Sequence, residues 1–161
     1  MTQPGSADSH RELPSDPDAG PDRPLHLHPS ALAWVFLGGV VGTALRYVGE
    51  LVLPHDAAGW PWATFLINLV GAFVLGALLE GLARLGTDSG WRQRVRLLAG
   101  TGVCGAFTTY STLALETVLL QRHGQVGTAV AYGVVSVVGG VVTAWLGIVV
   151  AAGVHRRRAR S

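Results

Sequence analysis

The chain has no lysine, one cysteine and few charges of either sign: acidic and basic residues make up 14% of its 161 positions, whereas 49% are hydrophobic. That is too little charge to coat a soluble domain of this size, so the composition points to a bilayer as the solvent. All twelve basic residues are arginine, grouped in a few clusters, and the formal net charge of +2 leaves no basic face for nucleic acid. Cys104 has no partner for an intrachain disulfide and no metal-ligand cluster near it in sequence, so it reads as a small packing residue. The first thirty residues lack the charged, apolar, small order of a cleavable signal peptide, and the first hydrophobic segment is expected to stay in the mature protein. Rich in Pro, Asp, Ser and His, residues 1–30 have too few apolar side chains to offset the entropy of ordering, which predicts a disordered tail. His26 and His28 on that tail read as solvated and are given no metal-binding role.

What the chain does have is long apolar runs. Residues 31–53 are apolar apart from Arg46 and Glu50, residues 62–79 carry no charge, residues 97–115 are uncharged and extended by 116–120, and residues 126–154 form a longer fourth run. Each approaches or exceeds the roughly 20 residues of a spanning helix, which predicts an all-α membrane protein with four transmembrane helices over 31–154 and a basic C-terminal tail over 155–161. The connections 54–61, 86–94 and 121–125 are short, so sequential helices are expected to pack as antiparallel neighbours in one bundle. Arg84, Arg92, Arg94 and Arg96 flank the middle loop and Arg156, Arg157, Arg158 and Arg160 follow the last helix, against Arg122 alone in the odd loops. The positive-inside rule then puts both termini in the cytoplasm, with Trp60 and Trp62 at the outer interface and Trp34 and Trp91 at the inner one. Gly38 and Gly42, and the series Gly133, Gly140 and Gly147, form stripes along helix faces that let backbones approach closely, a packing feature that says nothing about transport.

An intramembrane polar group is costly unless paired, so each one requires a reason. Asn68 lies mid-span with Thr64 one turn before it on the same face; a structural bond to a neighbouring helix and a functional role are equally open. The stretch Gly100-Thr-Gly-Val-Cys-Gly-Ala-Phe-Thr-Thr-Tyr-Ser-Thr112 sets three glycines and five Ser or Thr hydroxyls in the middle of the third crossing. A continuous helix is not expected there, because the hydroxyl density suits a break whose freed carbonyls can ligate a hard monovalent cation. A glycine-softened helix with back-bonded hydroxyls is the plainer alternative. Arg46 with Glu50, and Glu80 with Arg84, sit one turn apart near helix ends, where interface anchoring accounts for them; Arg46 is also the deepest cation, placed to draw anions into a vestibule.

Three motifs resemble those of the Fluc fluoride channels, also called the CrcB family: Gly38-Gly-Val-Val-Gly-Thr-Ala-Leu-Arg46-Tyr47, Trp62-Ala-Thr64-Phe-Leu-Ile-Asn68-Leu-Val-Gly71, and Gly102-Val-Cys-Gly105-Ala-Phe-Thr108-Thr109-Tyr110-Ser111-Thr112. The match runs over all four helices in the right order. The resemblance implies a third helix broken at mid-membrane, an antiparallel dimer with fluoride pores along the subunit interface, and a structural Na+ held by backbone carbonyls of Gly105 and Thr108. It assigns Asn68, Tyr110, Ser111, Thr112, Glu116 and Thr64 to the fluoride pore, with Ser136 from the fourth helix, and Arg46 to the vestibule. Where the family has two phenylalanines this chain has Tyr110 and Leu113, and Leu113 offers no electropositive aromatic edge. A proton-coupled exporter needs a titratable carboxylate deep in a span, whereas Glu50, Glu80 and Glu116 read as lying near helix ends. A mere scaffold gains nothing from unwinding a helix in lipid. The expected setting is therefore a multi-pass protein of the cytoplasmic membrane, conducting fluoride outward without enzymatic chemistry.

An antiparallel dimer of identical chains requires insertion in both orientations, yet eight arginines flank one face of this chain against Arg122 on the other. Accessibility labelling of a C-terminal tag in cells should find the terminus on the cytoplasmic side only, as in a subunit paired with a homologue of inverted charge bias. Similar labelling from both sides would restore a dual-topology homodimer.

Overall fold

A computed structural model describes residues 28–53 and 59–158. The tail over 1–27, with His26, lies outside the described residues. So do 54–58 and the last three positions. Helix α1 (Pro29–Val52) begins two residues earlier than the apolar run suggests, because Pro29 occupies the first turn, where its missing N–H costs nothing. It is followed by α2 (Trp62–Ala83). The third crossing is composite: α3 (Trp91–Val95), a π-helical stretch (Arg96–Cys104), α4 (Gly105–Phe107), a two-residue interruption, and α5 (Tyr110–Arg122). At its far end Gly124 adopts φ 75°, and the N–H of Gln125 reaches the Leu120 carbonyl at 2.9 Å, closing α5 with a glycine-dependent turn. The last helix, α6 (Val126–Arg158), runs through the first residues of the basic tail. Four segments, Pro29–Val52, Trp62–Ala83, Trp91–Arg122 and Val126–Arg157, are long and apolar enough to cross a bilayer.

Lipid tails are as apolar as leucine, so helices inside a membrane associate through close packing. The glycines show where that happens. A side chain at Gly38 would overlap the Leu98 carbonyl oxygen, and one at Gly42 the Val103 carbonyl, so α1 lies backbone to backbone against the π-helical stretch; Gly102 faces the Val35 carbonyl in return. Gly76 meets the backbone of Ala144, and Gly147 that of Phe73, which seats α2 on α6 in the same manner. Contacts that advance in the same direction along both chains make the first pair parallel. By contrast, Gly71 against Thr108 and Leu75 and Leu78 against Gly100 run antiparallel, as α2 crosses the third segment.

Three sequence expectations are corrected by the packing. The principal packing is not between sequential helices: α1 packs chiefly on the third crossing and α2 chiefly on α6, with little contact between α1 and α2. A connection of about eight residues reaches up to roughly 25 Å, so a short loop does not force adjacency, and the glycine surfaces decide the pairing instead. Of the stripe Gly133, Gly140 and Gly147, only Gly147 meets another helix; space beside Gly133 and Gly140 is open. Trp60 also departs from a simple belt position. Its ring packs edge-on against Tyr132 (5.4 Å) and Phe65 (5.7 Å), beside a small cluster of Leu120, Ala129 and Tyr132. Trp62 and Trp91 remain exposed at opposite ends, as interfacial rings do.

Gly38→Val should destabilise the fold by about 1–3 kcal/mol, the usual penalty for overpacking, since the obstruction is backbone and cannot swing aside. Gly81→Ala, where a Cβ meets nothing, should be neutral. Unfolding titrations in mixed micelles compare the two; equal stability of both variants would mean that the α1 contact is not a close one.

Candidate functional site

The interruption falls at Thr108 (φ −78°, ψ 154°) and Thr109 (φ −145°, ψ 120°), both extended, at the middle of the third crossing. Extended backbone at membrane depth needs partners for its N–H and C=O groups. Asn68 supplies them for Thr109: its Nδ2 donates to the Thr109 carbonyl at 3.0 Å, and its Oδ1 accepts from the Thr109 N–H at 2.8 Å. The Thr109 hydroxyl then serves as N-cap of α5, accepting from the Thr112 N–H at 3.1 Å. It also donates to the Thr112 hydroxyl at 3.0 Å and lies 3.2 Å from that of Ser111. The Thr108 N–H and hydroxyl both turn back to the Cys104 carbonyl, at 3.0 and 2.9 Å.

These bonds have a consequence for the carbonyls. In an unbroken helix the Gly105 carbonyl would accept from Thr109 and the Thr108 carbonyl from Thr112. Here the Thr109 N–H goes to Asn68 and the Thr112 N–H to the Thr109 hydroxyl, so neither carbonyl receives its helical donor. The break thus leaves the Gly105 and Thr108 carbonyls, among others at this point, without their helical donors, and such oxygens are the kind of ligand a hard monovalent cation takes. No group of three or more His, Cys, Asp or Glu that could hold a metal occurs among the described residues.

A second polar centre lies toward the other end of α5. Glu116 is buried, 6% exposed, and both carboxyl oxygens accept: Oε1 from the Thr64 hydroxyl at 2.8 Å and Oε2 from the Tyr132 hydroxyl at 2.6 Å. One carboxylate thereby ties α2, α5 and α6 together. Its burial, six residues or about 9 Å from the end of α5 at 1.5 Å per residue, corrects the expectation that Glu116 lies near a helix end. Tyr132, which carries half of this arrangement and is wholly buried, has no special sequence signal: a lone tyrosine in an apolar run reads as packing. One turn further along α6, Ser136 is 6% exposed, and its buried hydroxyl has no hydrogen-bond partner among the described residues.

Beside the break and along α5 and α6 the surface is grooved. A groove of about 330 Å³ is lined by Asn68, Gly71, Thr108, Thr109, Tyr110 and Leu113. Another, of about 510 Å³, is lined by Tyr110, Leu113, Thr117, Gly133, Val134 and Val137. Tyr110 stands at both and is 80% exposed, while Leu113 packs inward against the Leu120, Ala129 and Tyr132 cluster. Ser111 is exposed and Thr112 half-buried. The structure therefore brings Asn68, Thr109, Ser111 and Thr112 into one bonded set, and Thr64, Glu116 and Tyr132 into another, while Thr108 bonds back to Cys104. Arg46 belongs to neither: it is half-buried on α1 and forms no ion pair with Glu50, unlike Arg84, whose Nε donates to Glu80 at 2.6 Å.

The sequence profile of the family described as CrcB-like protein, Camphor Resistance (CrcB), matches residues 33–148. Among curated proteins, "Fluoride-specific ion channel FluC 1" of Cutibacterium acnes is 47% identical over 122 residues, covering 76% of this chain and 85% of that protein. "Fluoride-specific ion channel FluC 2" of Leifsonia xyli subsp. xyli is 44% identical over 135 residues, 84% of this chain and 92% of the relative. "Fluoride-specific ion channel FluC" of Novosphingobium aromaticivorans is 42% identical over 128 residues, 78% and 98% respectively.

Truncating Asn68 to Ala strands both the N–H and the C=O of Thr109 in a part-buried setting, and should destabilise the fold by about 2 kcal/mol or more. Unfolding of the purified variant reads this directly. A variant as stable as the parent would show that the break is satisfied by other means.

Proposed function

The chain belongs to the CrcB family, and from that membership we propose that it is a fluoride-selective ion channel that lets fluoride leave the cell across the cytoplasmic membrane and so relieves its toxicity. The similarity carries this reading: relatives 42–47% identical over most of the chain bear the name of fluoride-specific channels. A channel performs no covalent chemistry, so the side chains act by hydrogen bonding and charge. Fluoride is small and strongly hydrated, and a path for it must replace lost water with donors.

The path we assign runs past Asn68, Tyr110, Ser111 and Thr112 at the break and past Thr64, Glu116 and Ser136 beyond it, with Arg46 in the vestibule. What supports it is the supply of donors. The Asn68 amide, the linked hydroxyls of Ser111 and Thr112, and the unpartnered hydroxyl of Ser136 are all donors, and the Tyr110 ring is exposed at the lip of both grooves. Glu116 serves the path by holding two hydroxyls in place, and Tyr132 joins the set because its hydroxyl is one of them.

The carbonyls of Gly105 and Thr108 would hold Na+, to which the break offers two oxygens without helical donors. Bound there, the cation would supply positive charge to carbonyls that have lost their helical donors. The second subunit sits in antiparallel orientation over the grooved face. The exposed Tyr110 and the open surface beside Gly133 and Gly140 give it room for close approach. The arginine bias favours a homologous partner chain over a second copy, with both termini of this chain in the cytoplasm.

Liposomes loaded with fluoride test the mechanism. The assembled channel should release fluoride down its gradient with no accompanying proton movement, and Asn68→Asp, which replaces a donor with a negative charge, should slow release at least tenfold. Strict coupling of fluoride efflux to proton uptake would favour an exporter built around the buried Glu116 and would overturn the channel reading.

A further inference from the structure

We propose that a cleft at the arginine-rich end of the bundle, between the beginnings of the first and third crossings, binds the phosphate of an anionic phospholipid through Arg94. The cleft holds about 400 Å³ and is lined by Ser30, Ala31, Trp34, Gly90, Gln93, Arg94 and Leu97. It differs from the grooves along the membrane face in being lined by an indole and a guanidinium beside its hydroxyl and amide. Its depth is that of lipid headgroups: Trp34 lies about 6 Å past Ser30 along α1, and the exposed Trp91 marks the same level on the neighbouring element.

The arginines around it are not equivalent. Arg92 is committed to the loop, its Nε donating to the Thr87 carbonyl at 2.8 Å and its Nη1 to the Leu85 carbonyl at 3.1 Å, with its guanidinium 6.0 Å from the Trp91 ring centre. Arg96 is committed to Asp88, its Nε donating to Oδ2 at 2.6 Å. Arg94 stands between them in sequence, exposed, with no acceptor among the described residues. Because Arg96 takes up Asp88, no described carboxylate balances the Arg94 charge. A phosphodiester complements that charge, its two free oxygens matching the guanidinium fork, while the Ser30 hydroxyl, Gln93 amide and Trp34 indole can donate to the headgroup. Ala31 and Leu97 supply an apolar floor for the first carbons of an acyl chain. The site lies apart from the ion path, and its test is independent of which ion the protein conducts.

Native mass spectrometry of the purified full-length chain, titrated with phosphatidylglycerol or phosphatidylcholine, decides the matter. The parent should retain phosphatidylglycerol in preference to phosphatidylcholine. Arg94→Gln should weaken phosphatidylglycerol binding about fivefold, the contribution of one arginine at a membrane surface, and Arg122→Gln, an exposed arginine at the opposite end, should leave it unchanged. Gln93→Glu, which sets a negative charge in the same cleft, should give the same loss and serves if Arg94→Gln proves unstable. Equal binding by the parent and both cleft variants, an equal loss in Arg122→Gln, or displacement of the lipid by inorganic phosphate alone would each overturn the proposal.

Discussion

Two residues of extended backbone in the middle of a membrane-crossing segment have to find hydrogen-bond partners without water. Much of the molecule is arranged around that constraint. Asn68 satisfies both backbone groups of Thr109, and the Thr109 hydroxyl starts the next helix. Because those donors are diverted from their helical acceptors, two carbonyls are released and a set of hydroxyls is gathered beside them. Polar groups that would be expensive singly in hydrocarbon become affordable as a connected network.

The close glycine contacts hold this region at its depth. With α1 seated on the π-helical stretch just before the break and α2 crossing it at Gly71 and Thr108, the interruption cannot slide relative to Asn68. A π-helical segment is itself uncommon and tends to occur near functional positions. The carboxylate of Glu116 fixes the far side of the break, because it joins α5 to α2 and α6 through two short hydrogen bonds. The large apolar surface left outside these contacts suits lipid and a partner subunit rather than water.

The four crossings and the existence of the break were legible because long apolar runs and a dense stretch of glycine and hydroxyl residues have few other uses in a membrane. The location of the break was less so. Gly100 and Gly102 suggest unwinding by their number, yet they lie in the π-helical stretch, where Gly102 serves the approach of α1; the interruption itself falls on the hydroxyl pair Thr108 and Thr109. Helix pairing was hidden because loop length bounds distance without choosing neighbours. Tyr132 was hidden because its function depends on Glu116, 16 positions away, and sequence periodicity says nothing of which buried hydroxyl meets which carboxylate.

We propose that the break is an ion-linked element: Asn68 holds its backbone, and a monovalent cation at the Gly105 and Thr108 carbonyls would complete it. The most direct measurement is the unfolding temperature of the purified assembly as Na+ is exchanged, at constant ionic strength, for a bulky organic cation. A saturable rise with Na+ is expected, larger in the parent than in Asn68→Ala, where the side chain that holds the Thr109 backbone in the break is gone. An unfolding temperature indifferent to Na+ would contradict it.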